Sequence, residues 1–409
     1  AYVFNYGDDE GYAIVSADKR IDAPILAYCA GGSFSEENLK RDNPAMYYEL
    51  LDVKNYAVEC IARYEERVDS VTDVVLAKMM AGEDPSTRAT NYPCPQLRID
   101  EVEPPEGYLP NNFYNFTQTI SEEYSITEQV EPLLPVEWHQ RYPFNSNVRF
   151  KNGSTDAPAG CAPIAIAQLM AYWQYPSYVG ILPMNWTLLR NYTARPNAYA
   201  NVANKDSIPK ADPPYSHIDF KSNIAILIEE IGEQVGTVYG DTDPDKGLFG
   251  SSTGNEGVFN YLEEIGFDIG NGLQSYSVNA VVNSLINLRP VLVRGDKYVL
   301  DDNYGGYYVG HMWLIDGYLE RRKLTTLLIT SFDCNIGEIT RQWQTSTSTY
   351  TTYLHHNSGE EGGAINGANA YIVANSFDLL NSNRFTSSTR MDLNFNFQYN
   401  KYICTNIHP

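Results

Sequence analysis

An apolar helical segment that begins at a Gly-Cys pair most constrains the fold of this 409-residue chain. Cys161 opens this segment, GCAPIAIAQLMAYWQYP, and stands at the N-terminus of the helix it predicts. His311, 150 residues later, lies inside VGHMWLIDGY, an apolar run that predicts a strand. A helix start and a distant strand can bring a thiol and an imidazole together in space, although the two are far apart in sequence.

The pairing of a cysteine with a histidine suits nucleophilic catalysis. A cysteine attacks a carbonyl as the thiolate, and the N–H groups and dipole of a helix N-terminus favour that anion. A neighbouring imidazole completes the activation. Both residues also have an ordinary structural interpretation, because free cysteine is often buried and a histidine among apolar side chains is commonly a core residue. The pair alone leaves both interpretations open.

Four segments of the chain together match the pattern of one protein family. The segment from Gly160 fits G-C-x-x-x-A-x-A-Q-[IL]-M-x-Y-x-x-Y-P, and WHQRYPFN, from Trp138, fits W-x-Q-x-x-P-[YF]-N. GHMWLIDGY, from Gly310, fits G-H-x-x-x-[IV]-D-G-[YA]. LHHNSGEEGG aligns with H-x-N-W-G-W-x-G through His355, Asn357 and Gly359. On these segments the chain resembles the streptopain family of bacterial papain-like cysteine proteases.

The resemblance implies a role for each matched polar residue. Cys161 would be the nucleophile, and His311 would be the general base and then the general acid. Gln140 occupies the family's oxyanion-donor position, and Asn357 occupies the place that orients the histidine. Without the resemblance, Gln140 would be a polar loop residue and Asn357 a turn residue before a glycine. The implied mechanism needs no cofactor and no metal.

Further positions concern the substrate groove and a departure from the family pattern. Gly310, Leu248 and Ser251 align with residues that line the family's groove, although ordinary turn structure would also explain them. Where the family has Trp-Gly-Trp after its asparagine, this chain has Ser358, Gly359 and Glu360. Because the first indole is expected to shield the asparagine–histidine hydrogen bond, serine there predicts a more solvated and weaker bond.

The chain divides into three zones. Residues 1–90 contain aromatic and β-branched runs around GDDEG, which predict a hairpin, followed by a helical pattern from Ser35 to Met80. This zone also resembles the family's inhibitory propeptide through YAIVSADKR, which implies that it covers the active site. Residues 91–130 are rich in Pro, Asn and acidic residues and predict an exposed linker or activation segment, with a docked strap as the alternative.

Residues 131–409 carry helices first and strands afterwards, which predicts an α+β fold. That order is the one a papain-like cysteine protease uses. The predicted architecture is therefore a papain-like protease domain preceded by a small α+β propeptide domain.

Composition limits the partners and the compartment. A net charge of −22 without a basic run makes nucleic acid an improbable partner. The six cysteines are dispersed without a C-x-x-C spacing, which argues against a disulfide framework and against structural zinc. No apolar run reaches membrane-spanning length, and no charged leader precedes an apolar stretch, so a signal peptide is expected to be absent from this chain. A secreted or cell-surface location rests on the family resemblance.

The sequence therefore predicts a secreted bacterial cysteine endopeptidase made as a latent zymogen, acting on proteins or peptides and held by its own propeptide. The alternative is a catalytically impaired homologue that binds peptide or protein through the cleft. A structural surface module would explain the acidic composition, but not the combination of Cys161, His311, Gln140 and Asn357.

Overall fold

The structure is a computed structural model. It describes residues 1–7, 10–18, 20–21, 23–80, 113–148, 157–190, 220–240, 251–299, 307–333, 338–360, 369–378 and 399–409.

The described helices are α1 (Glu36–Asp42), α2 (Pro44–Met80), α3 (Cys161–Trp173), α4 (Trp186–Arg190), α5 (Phe220–Gln234), α6 (Asn255–Glu264) and α7 (Val278–Ile286), with a 3-10 helix at Ala374–Asp378. The described strands are β1 (Tyr2–Asn5), β2 (Tyr12–Val15), β3 (Ile25–Cys29), β4 (Phe113–Val130), β5 (Tyr178–Val179), β6 (Leu182–Pro183), β7 (Gln274–Ser275), β8 (Val291–Val299), β9 (Tyr307–Asp333), β10 (Glu338–Asn357), β11 (Asn369–Val373) and β12 (Tyr399–Cys404). The long strands β8, β9 and β10 follow the helices α3–α7, and β8 pairs antiparallel with β9 and β12, so the α+β prediction is confirmed.

The chain forms two compact units. The first unit contains residues 1–60, 129–319 and 352–409, and the second contains residues 61–128 and 320–351. In the first unit one sheet runs in the order β1-β2-β3-β11-β10-β9-β8-β12-β7. In the second unit β4 pairs with β9, and the Thr127 hydroxyl donates to the Glu320 carboxylate at 2.7 Å.

The N-terminal segment, residues 1–60, belongs to the first unit and extends its sheet. β1 and β2 form the predicted hairpin, and β2 pairs with β3. β3 in turn pairs with β11, with Tyr28 opposite Tyr371 and Ala27 opposite Ile372. A strand from the N-terminal segment therefore occupies a position beside a strand from the C-terminal part of the chain.

The predicted helical region of the N-terminal segment is interrupted at Asn43. The backbone N–H of Asn43 closes α1 by donating to the Leu39 carbonyl, and its side-chain oxygen accepts from the Met46 N–H at 3.3 Å. Asn43 thus ends one helix and caps the next, whose first residue is Pro44, a residue that the first helical turn tolerates.

Residues on both faces of β8 and β9 are buried. Leu292, Met312 and Leu314 pack into the cluster around α3, and Val293 and Trp313 pack into a second cluster that contains Ala45 of α2. Side chains of a strand alternate between faces, so one strand contributes to both clusters. His311 lies at the end of this doubly covered stretch of β9.

α3 is the central helix of the first cluster. Its sequence is apolar on every side, and ten consecutive residues from Ala162 to Ala171 are buried. A helix that is apolar all round is stable only inside a core. The predicted apolar helix is confirmed, and burial fixes the position of Cys161 at its N-terminus.

One part of the predicted linker is regular structure. Residues 113–130, assigned from composition to a linker, form β4 in the structure. Tyr114, Phe116, Ile120 and Tyr124 alternate with polar residues, and such alternation is typical of a strand. The remaining residues of the predicted linker, 91–112, lie outside the described residues. Across the described ranges, no helix is both long and apolar enough to cross a membrane.

Candidate active site

Cys161 is the first residue of α3 and follows Gly160, which has a φ of 91°. That backbone conformation favours glycine, and an added Cβ at Gly160 would lie 3.4 Å from Thr237 and 3.5 Å from Ser251. The Cys161 thiol is partly buried, and backbone N–H groups of Met312 and Ala162 approach the sulfur. Cys161 therefore lies beside the residue that follows His311 in β9.

Burial keeps the Cys161 thiol protonated in this structure. Desolvation raises the pKa of the thiol, the Met312 N–H lowers it, and the negative charge of Glu360 raises it further. Burial disfavours the charged form of a group, and a nearby anion disfavours a second anion. The helix N-terminus alone does not produce a thiolate here.

The His311 ring is buried, with 6% of the residue exposed, and is held by a backbone carbonyl. Its Nε2 lies 3.1 Å from the carbonyl oxygen of Ser358. Because a carbonyl can only accept, Nε2 carries the hydrogen and Nδ1 has the basic lone pair. The ring also stacks on Trp313, with centroids 5.4 Å apart and an interplanar angle of 15°.

The electrostatic environment keeps His311 neutral. Burial lowers the pKa of the imidazole to about 4, although the charge of Glu49 and the Ser358 carbonyl both act to raise it. At neutral pH the described state therefore contains a thiol and a neutral imidazole. The thiolate–imidazolium pair that a cysteine peptidase uses is not formed in it.

Asn357 lies next to the site, but its contacts differ from those expected of a residue that orients His311 directly. Its amide exchanges two hydrogen bonds with the Gln168 amide of α3, at 3.3 Å and 3.2 Å. Its Oδ1 also accepts from the Gly359 N–H at 3.2 Å. The acceptor for the His311 ring is instead the carbonyl of the next residue, Ser358.

These contacts act on a single peptide group. The Ser358 carbonyl and the Gly359 N–H belong to the same planar peptide unit and point in opposite directions. Asn357 holds the N–H end of that unit, and the carbonyl end faces the His311 ring. Gly359 has a φ of 65°, a conformation that favours glycine. Asn357 is thus connected to the histidine through one rigid peptide plane.

Gln140 lies beside the Cys161 loop. Its backbone carbonyl accepts from the Ala159 N–H at 3.0 Å, which ties the segment around Trp138 to the residues that precede the cysteine. Its side-chain Nε2 donates to Oε1 of Glu360 at 2.9 Å. The side-chain donor predicted for an oxyanion is therefore bonded to a carboxylate, a contact that sequence reasoning did not anticipate.

The predicted groove residues have different surroundings. Ser251 is close to Gly160, and its hydroxyl donates to the Pro158 carbonyl at 2.5 Å. Gly310 is exposed, and a Cβ there would lie 2.7 Å from a carboxylate oxygen of Asp296. Leu248 lies outside the described residues.

The N-terminal segment covers the histidine side of the site. The Ser358 hydroxyl, on a residue with 0% exposure, donates to Oδ1 of Asn43 at 3.4 Å. Nδ1 of His356 lies 2.6 Å from Oε2 of Glu49 and 3.1 Å from the indole nitrogen of Trp313. Serine at position 358 was expected to leave this region solvated. That expectation is wrong for this structure, because the Asn43 helix junction fills the space.

The adjacent histidines His355 and His356 have separate partners. Nδ1 of His355 lies 2.6 Å from Oδ1 of Asp316, whereas His356 contacts Trp313 and Glu49. Within the described ranges, no group of three or more His, Cys, Asp or Glu side chains is arranged to hold a metal ion.

Two family models match the chain, one over the segment that contains Cys161 and His311 and one over the N-terminal segment. The model of the peptidase C10 family matches residues 138–339, and the model of the Spi protease inhibitor matches residues 1–54. The chain belongs to the peptidase C10 family. It is a cysteine-type peptidase that carries its own inhibitor segment, as the resemblance to streptopain predicted. The C10 match contains Gln140, Cys161 and His311 and ends before Asn357.

Solved structures from one bacterium are similar to this C10 peptidase. A fragment of Prevotella intermedia prointerpain A is 14% identical over 97% of this chain and 91% of that chain, with a TM-score of 0.46. The active wild-type interpain A cysteine protease of the same organism is 16% identical over 68% of this chain and 94% of that chain, with a TM-score of 0.38. No curated protein matches the sequence.

Proposed function

We propose that this C10 peptidase is a secreted bacterial endopeptidase in which Cys161 and His311 cleave peptide bonds in protein substrates. The Cys161 sulfur attacks the carbonyl carbon, a C–S bond forms, and the thiol proton passes to Nδ1 of His311. His311 then protonates the departing amine as the C–N bond breaks. Water hydrolyses the thioester with His311 as base, which releases the acid and restores the thiol.

The placement of Cys161 is the observation that carries this proposal. Its sulfur lies at the N-terminus of α3 and against the N–H of Met312, the neighbour of His311. The backbone N–H of Cys161 and the side-chain amide of Gln140 are the proposed oxyanion donors. Such donors stabilise the charge that develops on the carbonyl oxygen, and loss of one typically costs about 10²- to 10³-fold in kcat.

His311 needs an acceptor that holds the correct tautomer, and the Ser358 carbonyl supplies it in our proposal. Asn357 acts as a positioning residue, because it fixes the peptide group that contains this carbonyl. Gln168 fixes Asn357 in turn and lies in the helix that starts at Cys161. The nucleophile and the orientation of its base would then depend on the same helix.

The N-terminal segment would hold the peptidase latent by contacting the residues around His311 and by keeping the thiol and the imidazole neutral. Asn43 and Glu49 contact Ser358 and His356 and bury the surroundings of His311. Burial in turn favours the neutral thiol and the neutral imidazole over their ion pair. Removal of the segment would admit water and substrate to the same groups. We propose that cleavage within the predicted activation segment, residues 91–130, starts this change.

Thiol labelling and peptide turnover test the assignment on the full-length chain before and after proteolytic activation. We expect an epoxide or iodoacetamide probe to modify Cys161 only after activation, and labelled enzyme to lose all turnover. Cys404 and Cys29 are matched controls, because burial raises the pKa of their thiols to about 12 and about 11. Cys161→Ala should abolish both labelling and turnover, whereas Cys404→Ala should preserve both.

One observation favours the alternative of a peptide-binding homologue with impaired catalysis. The Gln140 donor is bonded to Glu360, whose charge also opposes thiolate formation. An activated chain that binds peptides, reacts with no thiol probe and cleaves no peptide would support that alternative. Cleavage that depends on Cys161 would exclude it.

A further inference from the structure

Glu360 places a carboxylate in the centre of the proposed active site, where the C10 pattern has tryptophan. Its Oε1 accepts from Nε2 of Gln140 at 2.9 Å. The same carboxylate acts on the Cys161 sulfur, since its charge raises the pKa of the thiol. Glu360 is partly buried, so solvent screens these interactions incompletely.

A carboxylate in this position resembles the oxyanion that Gln140 is proposed to stabilise. While Gln140 donates to Glu360, that N–H is not available to the carbonyl oxygen of a substrate. The charge of Glu360 also disfavours the thiolate, because two anions repel one another in a partly desolvated site. A neutral substrate that uses this N–H must therefore displace the carboxylate without any compensating contact.

The position of Glu360 in the chain indicates which part of a substrate it meets. The Ser358 carbonyl contacts the His311 ring, and Glu360 follows two residues later. In the proposed reaction His311 protonates the amine that leaves, so the histidine lies on the leaving-group side of Cys161. We therefore expect Glu360 to face the substrate residue that follows the cleaved bond.

We propose that Glu360 is a specificity-determining residue that selects substrates with lysine or arginine immediately after the cleaved bond. This inference rests on the proposed peptidase function. A cationic side chain pairs with the carboxylate and draws it away from Gln140, which makes Nε2 available to the oxyanion. The same pairing neutralises the charge that opposes the Cys161 thiolate. A substrate with lysine or arginine at this position therefore frees the Gln140 donor and favours the Cys161 thiolate.

Kinetics of the activated enzyme on two quenched fluorescent peptides test the inference. The peptides are identical except for lysine or glutamine immediately after the cleaved bond. For the wild type we expect kcat/KM to favour the lysine peptide about tenfold, the size of one charge-assisted contact. High salt should reduce this preference, because it screens the ion pair.

Three variants assign the preference to the charge of Glu360. Glu360→Gln should bring the ratio close to one, mainly by raising kcat/KM for the glutamine peptide. Glu360→Asp keeps the charge and should keep a preference for lysine. Glu233→Gln removes an exposed glutamate of α5 and should leave the ratio unchanged.

The possible outcomes separate this inference from the assignment on which it rests. Cleavage that depends on Cys161, with the same ratio in wild type and Glu360→Gln, overturns the specificity role of Glu360 alone. Absence of cleavage in every variant overturns the peptidase assignment together with this inference. A thermal unfolding measurement on each variant shows that it is folded before its kinetics are compared.

Discussion

Acidification should weaken the hold of the N-terminal segment on the peptidase, because the segment buries a histidine in its neutral form. The pKa of His311 is about 4 in the latent chain, and an exposed histidine has a pKa of about 6.5. A lowered pKa means that the latent state binds fewer protons than the released state. The contribution of neutral His311 to the stability of the latent state is complete above about pH 6.5 and is lost as the pH falls toward 4.

The size of the effect follows from these two values. Between pH 7 and pH 5 the difference in proton binding lowers the free energy that keeps the segment bound by about 2 kcal/mol. The population of the open state should then rise about twentyfold, since 1.4 kcal/mol corresponds to a factor of ten. Glu49 and His356 are also ionisable and lie at this contact, so a control must retain both.

Hydrogen exchange on the full-length Cys161→Ala chain measures the opening without self-cleavage. Amides of β3 and of the first turns of α2 should exchange about twentyfold faster at pH 5 than at pH 7, after correction for intrinsic rates. In Cys161→Ala/His311→Gln, position 311 no longer titrates and most of this increase should disappear. If the exchange rates of the two proteins rose by the same factor between pH 7 and pH 5, the role assigned to His311 would be refuted.

Other contacts of the site give further predictions. Ser358→Trp should lower the Tm of the full-length chain and expose Cys161 to thiol probes before cleavage, because overfilling a buried position costs about 1–3 kcal/mol. Ser358→Ala, which removes the hydroxyl that donates to Asn43 at 3.4 Å without adding volume, should leave Cys161 protected. Asn357→Ala should reduce kcat of the activated enzyme about 10- to 100-fold with little change in KM, because the His311 ring loses its fixed orientation. Gln168→Leu should reduce kcat less. An unchanged kcat in both variants would contradict the connection of Asn357 to His311 through the Ser358–Gly359 peptide group. Glu49→Gln should weaken the latent state by about 1–3 kcal/mol, seen as faster activation, because the His356 ring loses a charged partner.

The sequence predicted the elements whose pattern is local. α3, the β1–β2 hairpin and the strand around His311 follow from apolar periodicity and turn residues, and the structure contains all three. The positions of Cys161, Gln140 and His311 came from family motifs, which place residue types without their partners. The alternation of apolar and polar residues over β4 is present in the sequence, but the Pro, Asn and acidic composition of residues 91–130 led to a linker assignment.

The contacts that were not predicted depend on chain segments far apart in sequence. A backbone carbonyl has no sequence signature, so the acceptor at Ser358 could not be distinguished from the neighbouring side chain of Asn357. The space beside Ser358 is filled by Asn43, 315 residues earlier, and no local pattern reports such a contact. The bond between Gln140 and Glu360 spans 220 residues and appears only once both segments are placed.

Because β3 pairs with β11, cleavage of the chain and release of the N-terminal segment are separate events. Cutting the covalent connection between the N-terminal segment and the peptidase leaves the backbone hydrogen bonds between these strands intact. A nicked molecule therefore remains a two-chain complex, and the inhibitor leaves only when the sheet itself comes apart. Once it has left, β11 has an unpaired edge that can accept another extended chain. The delay between cleavage and full activity should then follow the rate of strand separation, and added N-terminal segment should lengthen it.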